Sequence, residues 1–257
     1  MLTGAPIQLA PVALQANSFS RLKLNTPVTP QNVKQQLILS AIELFAEQGV
    51  EAISMRMINR GVGTKNNSAA HYHFGSKEGL VDAAILFIQE WFENRREAQL
   101  SLMEAQALTE APDIREILAL IARPYLQIMQ EEAWGYSAVR FIAHTQFDKD
   151  SFSRHAQQKY VKSFVKRLSA LARQAVPSVP EDILMYRLNF AASSLIQHLA
   201  NSRLQETGWF HSDSEHSDAI LELYLDYSAA GMSAPIAGLP VSHGFMSHTS
   251  GQISSLV

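Results

Sequence analysis

Apolar residues recur along this chain with a helical rhythm almost from end to end. Over 31–48, Val33, Leu37, Ala41, Leu44 and Phe45 return at intervals that place them on one face of a helix. Gly49 is the expected stop. Ser54 is positioned as the N-cap of a short second helix, about 54–60, with Met57 and Ile58 facing inward and Arg56 and Asn59 outward. Gly61-Val62-Gly63 supplies a turn, and a third short helix follows over about 67–73. Asn66, Asn67 or Ser68 caps it, and Phe74-Gly75 ends it. From Lys77 onward the spacing predicts longer amphipathic helices at about 77–105, 113–130, 133–146, 150–175, 181–206 and 216–231. Breaks fall at Pro112, Trp134-Gly135, 148–151, Pro177 to Pro180 and 206–214, while Pro124 should kink its helix or open the hydrogen-bond ladder. No window alternates as a half-buried strand does. The expected fold is all-α: a compact three-helix unit followed by a larger helical domain.

A chain of 257 residues can bury a substantial core, and 47% hydrophobic against 18% charged residues excludes a mostly disordered protein. No run approaches the roughly 20 uninterrupted apolar residues that a membrane helix requires, so no membrane partner is expected. With no cysteine, disulfides, thiol nucleophiles and cysteine-bound zinc are excluded, which suits the cytoplasm. Residues 1–29 lack a basic stretch before Arg21, and Pro6 and Pro11 interrupt their apolar run, so they read as a flexible leader and not a signal peptide. Beyond Ser233 the chain is rich in Ser, Gly and Pro, and 233–257 reads as a disordered tail. The domains expected between these ends are 30–79 and 80–232.

Net charge is −3, yet residues 1–80 carry seven Lys/Arg against four Asp/Glu while the remainder carries 14 against 20. Phosphate attraction depends on local charge, so a basic N-terminal unit on an acidic body is compatible with nucleic acid. Two short helices around a glycine turn have the form of a helix-turn-helix, whose second helix enters the major groove N-terminus first. Lys65, Asn66, Asn67 and Ser68 stand where that helix begins, with donors and acceptors suited to base edges, and Arg56, His71, Tyr72 and Lys77 are spaced to reach the backbone. A polar cluster there also serves as a simple cap, with His71, Tyr72 and Phe74 as packing residues.

The stretch LFAEQGVEAISMRMI, a glycine turn and then HYHFGSKEGL closely resembles the N-terminal domain of the TetR family of bacterial repressors. The resemblance spans about 33–81 and rests on Phe45, Gly49, Ser54, Ile58, Gly63, Tyr72, Phe74, Gly75, Lys77 and Glu78 in order. It implies base contacts from Asn67, Ser68 and Ala69, and phosphate contacts from His71, Tyr72 and Lys77. The segment from Gly63 to Phe74 is one residue longer than the family's commonest spacing, so Asn66 and Asn67 both remain candidates for the cap.

Farther on, MYRLNFAASSLIQHLA and YSAAGM bear a fainter likeness to fatty-acid-responsive members. The resemblance implies a second domain that holds a small lipophilic effector, acyl thioesters being the candidate class, and that pairs two copies through its last long helices. Tyr125, Trp134, Arg140, Phe141, His144 and Arg187 are the candidate effector contacts. Leu188, Ala192, Leu195 and Leu199 on one helix, with Leu223 and Tyr227 on the next, are the candidate homodimer surface, although the same stripes also suit an intramolecular core.

An enzyme is the first rival: the chain has nine histidines, but no HExxH, GxSxG or phosphate-cradling glycine loop. His71 and His73, two apart on a helix, point in different directions and make a poor metal pair. No metal or cofactor is expected. The second rival is a helical adaptor, which leaves the polar start of the third helix and Lys77 without a purpose. The expected function is transcription regulation through double-stranded operator DNA, as a repressor released by its effector.

Overall fold

The computed structural model describes residues 30–63, 68–147, 151–201 and 214–235. All regular structure among them is helical. Nine helices are described: α1 (Pro30–Ala52), α2 (Met55–Gly61), α3 (Ala69–Phe74), α4 (Lys77–Gln106), α5 (Ile114–Glu131), α6 (Gly135–Phe147), α7 (Ser151–Ala175), α8 (Glu181–Asn201) and α9 (Ser214–Ser233). Each begins within two residues of its expected start. The leader at 1–29, the tail beyond 235 and the expected end of α8 past Asn201 lie outside the described residues.

Local chemistry accounts for several of these ends. Gly49 adopts φ 79° and ψ 160°, a backbone state that a residue with a Cβ takes only under strain, and it breaks the helical path of α1 near its expected stop. Ser54, Ser76 and Asp113 each cap a helix by accepting from a first-turn N–H, those of Met57, Gly79 and Arg115. Pro124 sits buried inside α5 without ending it.

Leu37, Ala41, Ile42 and Phe45 form the fully buried face of α1. On one side α1 packs on α2, α3 and α4, and on the other it packs on α6, which in turn lies against α8. The Phe45 and Phe141 rings meet at 5.3 Å across the α1–α6 contact, and His144 Nδ1 lies 3.3 Å from the Phe45 carbonyl oxygen. α4 runs unbroken through 79 and 80, so the expected domain boundary falls within a helix. That helix packs against both α1 and α7. Arg167 of α7 grips it by donating to Glu97 and Glu104, each at 2.7 Å. At the far end Arg115 of α5 pairs with Glu222 and Asp226 of α9. No helix is long and apolar enough to cross a membrane among the described residues.

Candidate nucleic-acid interface

Helices α2 and α3 are too short to be stable alone, so tertiary contacts set the angle between them. Met55, Ile58 and Asn59 form the buried face of α2. The sequence reading turned Asn59 outward; the structure corrects it. Asn59 is fully buried, and its Oδ1 accepts from the Ala70 N–H at 2.9 Å. That N–H belongs to the first turn of α3, where no carbonyl of the same helix can reach it. Asn59 therefore caps α3 from the neighbouring helix and joins the two halves of the helix-turn-helix. The missed signal is spacing: Met55, Ile58, Asn59 and Val62 follow an i, i+3, i+4, i+7 pattern that includes one polar residue.

Ser68 occupies the N-cap position of α3 but its side chain makes no capping bond. Lys65, Asn66 and Asn67, candidates for both cap and base contact, lie outside the described residues. Ala69 and Ala70 form the buried face of α3. Ala69, implied above as a base contact, is only 6% exposed and packs into the core, because it lies on the face that Asn59 draws against α2. Ser68, His71 and Tyr72, at i, i+3 and i+4, form the exposed stripe instead, with Tyr72 84% exposed. Within it His71 Nδ1 lies 3.0 Å from the Gly75 carbonyl oxygen, and the Tyr72 ring meets His73 edge-on at 5.1 Å. As an N–H donor there, Nδ1 leaves Nε2 as the acceptor of a neutral ring.

The exit from α3 is equally constrained. A Cβ on Gly79 would come within 2.3 Å of the Phe74 carbonyl oxygen, so only glycine lets α4 start this close to the end of α3. From the first turn of α4, Lys77 Nζ donates to the carbonyl oxygens of Val50 and Glu51 at 3.2 and 3.4 Å, tying α4 to the C-terminal end of α1. One of its three N–H donors is left over. Arg56 and Arg60 of α2 are exposed beside it in the chain order.

The six candidate effector contacts face different neighbours. Tyr125 is buried against Phe92 of α4, and Trp134 against Phe87, with ring centroids at 4.6 and 5.1 Å. Phe141 and His144 belong to the α1–α6 contact. Arg187 donates to the Met232 carbonyl oxygen at 2.7 Å, joining α8 to the end of α9, and Arg140 is half-buried. They do not form one lining. The candidate dimer stripes also divide: Leu188, Leu195 and Leu199 are buried inside the chain and Ala192 is half-buried, whereas Leu223 and Tyr227 are 67% and 80% exposed. Three of the α8 residues thus serve the intramolecular core, since α8 turns that face toward α6. Phe190 is the large exposed apolar residue of α8, at 68%, and the sequence reading passed over it.

Two family models match. Residues 37–84 match bacterial regulatory proteins of the tetR family, and residues 119–231 match a tetracyclin repressor-like C-terminal domain. No curated protein matches the sequence. Among solved structures, the fatty acid degradation regulator FadR from Bacillus halodurans is similar at 13% identity and TM-score 0.56, covering 82% of this chain and all of that one, 100%. AibR, solved with isovaleryl coenzyme A and operator DNA, is similar at 16% identity and TM-score 0.55, covering 79% and 100% of the two chains. NalD, the secondary repressor of the MexAB-OprM multidrug efflux pump in Pseudomonas aeruginosa, is similar at 19% identity and TM-score 0.53, covering 79% and 98%. At these identities the structures attest to a shared fold, and the two family models carry the assignment over well over half of the chain. With a helix-turn-helix at its N-terminal end and a larger helical region behind it, the chain belongs to the TetR family of DNA-binding transcriptional regulators.

Proposed function

We propose that the chain acts as a homodimeric repressor on a roughly palindromic operator and that a small lipophilic effector releases it. The observation carrying this reading is the exposed Ser68, His71 and Tyr72 stripe on a helix whose opposite face is anchored by the buried Asn59–Ala70 bond. In this reading residues 30–79 bind DNA, with Lys65, Asn66, Asn67 and Ser68 leading into the major groove. His71, Tyr72, Arg56 and the remaining donor of Lys77 meet the phosphates. One short helix reads too few base pairs for specificity, so two copies bind half-sites about 34 Å apart. Residues 80–232 provide pairing and effector binding.

Release requires the effector to favour a different spacing of the two recognition helices. The α1–α6 contact supports a route, because a shift of α6 moves Phe141 against Phe45, in the helix on which α2 and α3 rest. A coupling of roughly 1–3 kcal/mol changes affinity about 5- to 150-fold. Since AibR was solved with isovaleryl coenzyme A, acyl thioesters are the first class to try.

The test is fluorescence anisotropy of the full chain on DNA from upstream of its own gene, against a scrambled duplex. Wild type should prefer the upstream DNA, and Tyr72→Ala and Lys77→Ala should weaken it without loss of helicity. Equal binding to both duplexes removes the reading.

A further inference from the structure

Four buried polar residues, drawn from three helices, converge without satisfying one another. Arg96 of α4 is 9% exposed, and its guanidinium carbon lies 3.5 Å from the centre of the Phe164 ring on α7. Stacking on the ring face leaves the in-plane N–H fork available, and no hydrogen bond or ion pair engages it among the described residues. Glu93 and Glu97 lie near enough to support its charge, but Glu97 is taken by Arg167 at 2.7 Å and Glu93 faces solvent. Tyr125 of α5 is 8% exposed and close enough for the two groups to influence each other's ionisation. Across from it on α9, Tyr224 also feels Tyr125, and the buried hydroxyl oxygens of Tyr224 and Ser228 close no hydrogen bond.

A buried donor without a partner is costly, and a buried unpaired cation more so. Burial pushes both phenols up to about 12, so they stay neutral and donate. The unmet groups are then one cation and a set of O–H donors, with the ring of Phe92 lying 4.6 Å from that of Tyr125. Their complement is a group that only accepts, carries a single negative charge and is planar enough to take two parallel bonds from a guanidinium. A phosphate dianion would leave a second negative charge uncompensated in an apolar interior.

We propose that Arg96, Tyr125, Tyr224 and Ser228 form a binding site for the carboxylate of an effector with an apolar tail. The assignment rests on the effector reading above and refines it by placing a free acid, not a thioester, at the buried end. Because α9 supplies two of the four residues and also carries exposed Leu223 and Tyr227, a ligand held here pulls on the proposed dimer face directly.

Calorimetric titration and thermal shift of the full chain with decanoate, decanol, decanoyl coenzyme A and inorganic phosphate test the site. Decanoate should raise the Tm and bind about tenfold or more tightly than decanol, the difference expected from charge-assisted bonds. Arg96→Met should abolish that preference. Tyr224→Phe removes a hydroxyl that bonds nothing in the free chain, so it should leave the free protein's Tm unchanged while weakening decanoate about threefold to tenfold. Equal affinity for decanoate and decanol, full decanoate affinity in Tyr224→Phe, or stabilisation by phosphate alone overturns the proposal. If decanoyl coenzyme A or decanol binds and frees the operator while decanoate does not, the carboxylate site falls and the effector reading stands. If none of them binds or frees DNA, both fall.

Discussion

Asn59 concentrates the geometry of the recognition unit in one bond. Its Oδ1 takes the first-turn N–H of Ala70, both groups are buried, and α3 has only six residues with which to hold itself in place. Asn59→Ala strands that N–H and should cost about 1–3 kcal/mol, the penalty for a buried donor left unsatisfied. The exposed neighbour Arg60→Ala should change stability by no more than about 0.5 kcal/mol. Denaturant unfolding measures both, and an Asn59→Ala variant as stable as the Arg60 variant would show that the bond does not hold the unit together. The role was hard to read from sequence for a physical reason. In a helix of barely two turns, the apolarity of Met57 outweighed the periodicity that puts Asn59 beside Met55 and Ile58. Ala69 fails in the opposite sense: a position relative to a motif says nothing of which side of α3 it faces, and burial decided that.

At the scale of helices, starts and stops were the most legible feature, since Ser54, Asp113, Gly49 and the prolines each act through local backbone chemistry. What the helices grip is set by long-range partners. Arg167 on α7 reaches Glu97 and Glu104 on α4, 63 and 70 residues away in sequence, and no pattern within either helix announces the pairing. The Arg167 bonds hold both carboxyls below their ordinary range, Glu97 with added help from Ser101. A lowered native value means the clamp contributes in full above about pH 4.5, where the unfolded carboxyls are ionised, and fades as pH falls through the native values. Both carboxylates are more than a third exposed, so the stabilisation is modest. Arg167→Met should lower the Tm at pH 7 by about 2–4 °C, with the gap to wild type closing as pH drops below 4.5. A gap that stays constant with pH would assign the loss to packing of the Arg167 stem.

Across the whole molecule the α1–α6 contact binds the DNA-facing helices to the rest of the chain, and α4 runs through the expected boundary without a break. Periodicity identified the buried face of α1 but could not name α6 as its partner. The same limit explains the divided dimer stripes: amphipathicity says that Leu188, Leu195 and Leu199 are buried, not that the burial occurs within one chain. Once they are spent on the core, Phe190, Leu223 and Tyr227 remain as large apolar side chains turned outward on two helices that pack together. A monomer would leave this surface in water, and pairing would cover it. Leu223→Glu adds charge to that surface without touching Leu225, Ser228 or Met232, the buried side of α9. Light scattering behind size exclusion should therefore give a dimer for wild type and a folded monomer for Leu223→Glu, and operator affinity should fall with the loss of the second half-site. Leu188→Glu, placed in the core, should instead unfold the chain. A wild-type monomer, or a Leu223→Glu dimer of undiminished affinity, would move the pairing surface away from α8 and α9.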